Sequence, residues 1–114
     1  MSPIEFNPAD TVDEDGKITV ENVNHPGKTS RVAAERYLAM YNAFMAALPR
    51  QSPGLNQNQI REAVKEHLPE DLFPGGQKVG WWAKSVQLDL EAKGLMQREE
   101  TSPLRWYLTT DTKR

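Results

Sequence analysis

Polar side chains that could contact a nucleic acid cluster on one predicted helix and on the hairpin that follows it. Within the helix, four residues could bond phosphate groups or the edges of bases: Lys78, Lys84, Ser85 and Gln87. Two further cations are placed by the sequence on the strands of a hairpin: Arg98 and Arg105. Lysine and arginine are the residues that most often contact phosphates. This set predicts a binding site for double-stranded DNA.

Two apolar residues on the same helix favour a different ligand. Trp81 and Leu88 are two helical turns apart, on the side of the helix opposite its predicted core face. Exposed pairs of this kind often anchor protein interfaces. Glu99 and Glu100, in the turn of the hairpin, would also repel a phosphate backbone. The alternative function is therefore protein interaction or homodimerisation, unless the N-terminal strand covers Trp81 and Leu88 within the chain.

Residues suited to catalysis are few. The sequence has no cysteine and two histidines, His25 before a proline and His67 near the end of a predicted helix. We find no nucleophile motif, no phosphate-binding loop and no set of metal ligands at helical spacing. We therefore expect a domain without catalytic activity, without a cofactor and without a metal.

Charge is spread unevenly along the 114 residues, whose net charge is −2. Residues 1–30 hold six acidic and two basic side chains, whereas residues 77–114 hold seven basic and five acidic ones. The mildly basic C-terminal third falls short of the strong basic face of an autonomous DNA binder. A membrane span needs roughly 18 apolar residues in a row, and no segment approaches that length. With no secretory signal at the N-terminus, the sequence favours a cytoplasmic location without membrane contact.

The first two helices are marked by residues at their ends. The first is expected over about 31–48, with Thr29 or Ser30 as its N-cap and Pro49 ending it. The second is expected to begin after Asn56, which forms a capping box with Gln59. Its inner side is expected to carry five residues: Ile60, Ala63, Val64, His67 and Leu68.

The third helix is expected over about 77–93, because four apolar residues repeat at steps of four, three and four: Val79, Ala83, Val86 and Leu90. Gly94 is the natural residue just after its end. Two short strands, 95–98 and 104–109, then form a hairpin. Trp82 and Trp106 are expected to pack inside the domain rather than to stack on bases.

Three helices followed by a hairpin is the order of a winged helix. The predicted fold is mainly α with a small β-hairpin (α+β): a winged helix-turn-helix with three helices, a wing and an extra N-terminal strand. Residues 17–109 form this domain, and residues 17–23 form the extra strand, which adds to the sheet of the wing or crosses to a second subunit. The acidic residues 1–16 and the last residues, 110–114, are expected to be flexible.

Several short motifs resemble known proteins. The stretch from Val86 to Leu95, with its Leu-Glu-Ala-Lys-Gly, resembles the end of the recognition helix in many bacterial winged-helix proteins. Together with Leu-Phe-Pro-Gly-Gly, Gly-Trp-Trp and Pro-Leu-Arg-Trp, it resembles a family of small uncharacterised bacterial proteins over about residues 18–108. The resemblance implies a winged-helix fold and no established activity. DNA-linked regulation is what most domains of that fold perform, and it is expected by analogy.

Overall fold

Three helices and two antiparallel hairpins make up the fold in the computed structural model, which describes residues 7–109. The helices are α1 Ala34–Ala47, α2 Gln57–Lys65 and α3 Val79–Ala92. The strands are β1 Lys17–Glu21, β2 Thr29–Ala33, β3 Met96–Glu99 and β4 Arg105–Leu108. The predicted α+β class, with three helices before a hairpin, is confirmed. The narrower assignment to the winged helix-turn-helix class stays a prediction.

The core lies between α1 and α3. Tyr37, Met40 and Phe44 of α1 are fully buried, because their spacing of three and four residues places them on one face of the helix. The predicted inner face of α3 is confirmed, since all four residues are buried: Val79, Ala83, Val86 and Leu90. Trp82 and Trp106 are buried as well, so the prediction that they pack inside the domain is confirmed.

The beginning of α2 follows the predicted capping box. The Asn56 side chain accepts a hydrogen bond from the Gln59 amide, and the Gln59 side chain accepts one from the Asn56 amide, each at 2.9 Å. The helix ends at Lys65, before His67 and Leu68 of its predicted inner side, and the chain continues in tight turns. The expected inward position of His67 is therefore wrong, because that residue lies beyond the helix and is exposed.

A second hairpin at the N-terminus corrects two expectations. β1 pairs with β2 in antiparallel fashion, and the two hairpins form separate two-stranded sheets, so β1 does not extend the wing. Residues 29–33 belong to β2, and α1 begins only at Ala34, so Thr29 and Ser30 are strand residues rather than helix caps. Val32 faces Ile18 across the hairpin and both are buried, which gives the strand a packed inner face.

Residues 7–16 differ from the flexible tail expected over 1–16. Residues Pro8–Thr11 form a short 3-10 helix in which Pro8 is buried. The Asp13 carboxylate accepts hydrogen bonds from two backbone amides and from the Arg31 guanidinium, whose Nη2 lies 2.8 Å away. These bonds lower the pKa of Asp13, and the Lys17 amide contributes most. Residues 1–6 and the expected flexible end 110–114 lie outside the described residues.

The C-terminal hairpin begins directly after α3. Gly94 follows the helix with a φ of +77°, and the Leu95 amide donates to the Leu90 carbonyl at 2.8 Å. This is the predicted helix ending, in which glycine adopts the left-handed conformation without steric cost. β3 and β4 form the predicted hairpin and pair from Met96 opposite Leu108 to Glu99 opposite Arg105. Glu99, expected in the turn, is instead the last residue of β3.

Candidate interaction surface

Trp81 is the prominent exposed aromatic residue of α3. Its side chain is 56% exposed, whereas its neighbour Trp82 is 6% exposed. The two indole rings meet edge to face, with centroids 5.0 Å apart and an interplanar angle of 80°. Consecutive helical residues point about 100° apart, so packing Trp82 into the core directs Trp81 to the surface. Trp81 thereby becomes a rigidly supported ridge with a groove on either side.

The first groove, which we call the basic groove, has a volume of ≈ 510 Å³ and lies beside the start of α3. It is lined by Arg36, Leu72, Pro74, Gln77, Lys78, Trp81 and Trp82. Of these seven residues in the described part of the chain, two are cations and none is an acid. An apolar floor with a few polar groups at its edge is the usual composition of a binding groove.

Bonds between α1 and the loop after α2 hold the basic groove in shape. Arg36 donates from Nε to the carbonyl oxygen of Leu72 at 2.8 Å. Phe73, the next residue, is buried in the core, as expected for a residue that fixes this loop. Lys78 has a φ of +61°, in the left-handed region, and immediately precedes α3. The two cations that line the basic groove therefore come from α1 and from the residue just before α3.

The second groove, which we call the hairpin groove, lies on the other side of Trp81 and has a volume of ≈ 300 Å³. Trp81, Ser85 and Leu88 of α3 form one wall. The N-terminal hairpin and its turn form the other, with Val20, Glu21, Asn22, His25, Lys28, Thr29, Ser30 and Val32. The structure answers the question left open by the sequence: Leu88 is half-buried beside the hairpin, whereas Trp81 stays exposed.

A buried carboxylate attaches the hairpin to the helices. Asp89 of α3 is fully buried and accepts hydrogen bonds from the Tyr37 hydroxyl at 2.5 Å and from the Glu21 amide at 2.8 Å. The Lys93 ammonium bonds to the same carboxylate and lies 3.2 Å from the Glu21 carboxylate. Burial raises the pKa of Tyr37, and the neighbouring charge of Asp89 raises it further. One side chain thus joins α1, α3 and β1.

Sequence reasoning missed Asp89 as a structural residue. It stands four residues before Lys93, which is the spacing of an ordinary ion pair on an exposed helix face. The partners that reveal its role, Tyr37 and Glu21, are 52 and 68 residues away in the chain. A signal was present in the flanking Leu88 and Leu90, which mark a mostly apolar stretch of helix, although only the tertiary contacts show that the carboxylate is buried.

The structure brings together half of the predicted DNA-contacting residues. Lys78 and Lys84 are exposed on the Trp81 side of α3, and Ser85 is half-buried there. Gln87 is 1% exposed, so the expectation that its side chain is accessible beside the outward face of α3 is wrong. The sequence pattern placed Gln87 at the edge of the outward face, and helical spacing alone does not show that this edge is buried.

The two cations of the C-terminal hairpin differ in their contacts. Arg98 donates from Nε to the Glu91 carboxylate at 3.2 Å, and its guanidinium carbon lies 6.0 Å from the centre of the Trp106 ring. Arg105 lies on β4 opposite Glu99 and is half-buried. Both residues are on the strands of the wing, as predicted, yet contacts within the domain already engage Arg98.

Glu99, at the end of β3, and Glu100, which follows it, differ in their contacts. Glu99 accepts hydrogen bonds from the Ser52 hydroxyl and, at 2.7 Å, from the Gly54 amide. These two bonds, the Ser52 bond most strongly, lower the pKa of Glu99. Glu100 is exposed. Glu99 therefore ties the wing to the loop between α1 and α2, which is a structural role.

Residues 7–109 hold neither a metal-binding cluster nor a membrane-spanning helix. No three histidine, aspartate or glutamate side chains in this range stand close enough to hold a metal ion. None of its helices combines the length and the apolar character that a bilayer crossing demands.

The fold and this surface define a small α+β domain with an exposed tryptophan between two grooves. The chain belongs to a family of unknown function, DUF6958, whose family model matches residues 17–106. That span begins with β1 and ends within β4, so it includes both grooves and the Asp89 contacts. No curated protein and no solved structure gives a significant match.

Proposed function

We propose that this domain is a non-catalytic interaction module that binds a protein segment across Trp81. The observation that carries the proposal is a tryptophan that is 56% exposed, supported by a buried tryptophan and flanked by two grooves. Tryptophan is enriched among the few residues that dominate the energy of protein interfaces. A surface that continues on both sides of Trp81 favours an extended chain over a single small molecule.

Duplex DNA is the competing ligand, and two observations favour a protein instead. First, Trp81 and the half-buried Leu88 occupy the part of α3 that would have to face the bases. Such a face finds few hydrogen-bond partners in a major groove. Second, Gln87 is buried and Arg98 is paired with Glu91, which leaves four members of the predicted DNA-contacting set: Lys78, Lys84, Ser85 and Arg105. The proposal includes a cytoplasmic location, which fits the absence of cysteine.

The first test selects peptides that bind the intact protein. A random-peptide display library is screened against the immobilised domain, and the enriched peptides are synthesised with a fluorescent label for anisotropy titrations. We expect Trp81→Ala to weaken binding by about thirtyfold, the effect of losing an anchor worth about 2 kcal/mol. Tyr107→Ala is the matched control, because Tyr107 is an aromatic residue of β4 that lines neither groove.

Circular dichroism and thermal unfolding must show that both variants fold like the wild type.

A labelled duplex of mixed sequence is titrated in parallel at low salt. If the duplex binds, loses affinity steeply with added salt and binds less tightly to Lys84→Ala, DNA is the ligand and the proposal fails. The proposal also fails if no peptide is enriched, or if Trp81→Ala binds the selected peptides as tightly as the wild type.

A further inference from the structure

We infer that the occupant of the basic groove is the acidic segment Asp10–Asp15 of a second copy of this chain. The inference rests on the proposed function, because it names the partner of the same surface. In this association, Val12 of one copy contacts Trp81 of the other, and acidic residues beside Val12 meet Arg36 and Lys78.

The charges of the two surfaces are complementary. The basic groove carries Arg36 and Lys78 and is lined by no acid within the described residues. Asp10 and Glu14 are exposed two residues before and two residues after Val12, and within residues 7–109 neither is joined to a cation by an ion pair. Complementary charge sets the register of an interface and suppresses other partners.

The apolar parts of the two surfaces are also complementary. Among the large hydrophobic residues of the described chain, Val12 and Trp81 are the exposed ones, at 37% and 56%. Val12 stands between acidic residues, whereas Trp81 stands beside a groove with two cations. A contact between them would cover both apolar side chains at once.

The acidic segment is held in a fixed shape before it binds. Arg31 bonds to Asp13 at 2.8 Å and to Asp15 at 2.7 Å, and the Pro8–Thr11 helix precedes Val12. A segment that is already ordered loses less conformational entropy when it docks, which raises its affinity. Asp10 and Glu14, outside these bonds, remain accessible to the groove of a second copy.

Sedimentation equilibrium of the full chain tests the inference through a charge swap. We expect concentration-dependent self-association that weakens about fivefold in Lys78→Glu, the upper range for losing one exposed ion pair. Glu14→Lys should weaken it similarly, and the double variant should recover association, because each interface again joins opposite charges. Lys65→Glu on α2 makes the same change of charge away from the groove and is the matched control.

Trp81→Ala should weaken association by about thirtyfold, and raised salt should weaken it further because screening reduces attraction between exposed charges. A wild-type chain that stays monomeric up to about 1 mM, the range of the weakest specific complexes, overturns the inference. So does a double variant that associates no better than the singles. If the inference fails in either of these ways but selected peptides still bind through Trp81, the proposed function stands. If no peptide binds through Trp81, the proposed function fails, whether or not the chain associates with itself.

Discussion

At the scale of single residues, Asp89 shows how a charge becomes structural. Its carboxylate is fully buried, and three donors from α1, β1 and α3 surround it: the Tyr37 hydroxyl, the Glu21 amide and the Lys93 ammonium. A buried charge is tolerated only when donors of this kind replace the water that it loses. Removing the carboxylate therefore takes this acceptor from all three donors, although Lys93 keeps its ion pair with Glu21.

We expect Asp89→Ala to lower the free energy of unfolding by about 3–5 kcal/mol, the usual cost of breaking a buried ion pair from one side. Urea denaturation, monitored by circular dichroism, measures this change in the free energy of unfolding. Asp71→Ala, which removes an exposed carboxylate from a loop, is the control and should change stability by less than about 0.5 kcal/mol. Equal stability of the two variants would contradict the structural role of Asp89.

Glu99 offers a test through its titration. Because the Ser52 hydroxyl and the Gly54 amide stabilise the charged carboxylate, the pKa of Glu99 lies below its ordinary value of 4.5. A lowered pKa in the folded state means that this contact stabilises the fold above pH 4.5 and is lost as the pH falls through the lowered pKa. The bonds from Ser52 and Gly54 to the Glu99 carboxylate therefore stabilise the fold at neutral and mildly acidic pH.

An NMR titration of the side-chain carboxyl of Glu99 should give a midpoint below 4.5 in the wild type. In Ser52→Ala the midpoint should move up towards that value, because the largest stabilising bond is gone. Ser102→Ala, an exposed serine of the wing turn, should leave the midpoint unchanged. A Glu99 midpoint at or above 4.5 in the wild type would show that the bond to Ser52 is not formed in solution.

At the scale of elements, the loop before α2 packs against β4 with no room for a side chain. Leu55 and Trp106 form an isolated bridge, in which the Leu55 amide donates to the Trp106 carbonyl at 2.9 Å. A Cβ at Gly54 would lie 2.1 Å from that carbonyl oxygen. The backbone of β4 cannot yield without breaking the bridge, so glycine is required by the close approach.

We expect Gly54→Ala to destabilise the fold by about 1–3 kcal/mol, as overpacking of a tight contact does. Gly80→Ala is the matched control, because a Cβ there meets only the Arg61 side chain at 3.6 Å, an ordinary contact. In α3 that change should be neutral or stabilise by up to about 1 kcal/mol, since alanine favours helix more than glycine does. Thermal unfolding of both variants measures these changes in stability. A Gly54→Ala variant as stable as the wild type would refute the close packing against β4.

The elements also show which signals in the sequence are sufficient to predict where a helix begins. Asn56 and Gln59 predict the beginning of α2 correctly, because a capping box depends on residues three positions apart. Thr29 and Ser30 look equally suitable as caps, yet they lie in β2. Their strand conformation depends on pairing with β1 and on burial of Val32 against Ile18, and neither is visible in a local window.

At the scale of the whole molecule, apolar periodicity and helix-end signals are enough to predict the three helices and the core side of α3, and two short strands around a polar turn predict the C-terminal hairpin. The candidate site was predicted less completely. Trp81 and Lys78 are exposed as expected, whereas Arg36 and Leu72 enter the basic groove only because the loop after α2 folds back onto α1. Contacts between residues this far apart in the chain depend on tertiary packing, so a single sequence does not reveal them.

The three tryptophans of the chain differ sharply in their access to water, with Trp81 at 56%, Trp82 at 6% and Trp106 at 3% exposed. A dissolved collisional quencher would therefore reach one indole and be kept from the other two. The chain carries an intrinsic optical reporter on the ridge between its grooves. An occupant of either groove would shield that indole from the quencher. A fall in the quenching of native fluorescence would therefore report that a groove is occupied, without any label.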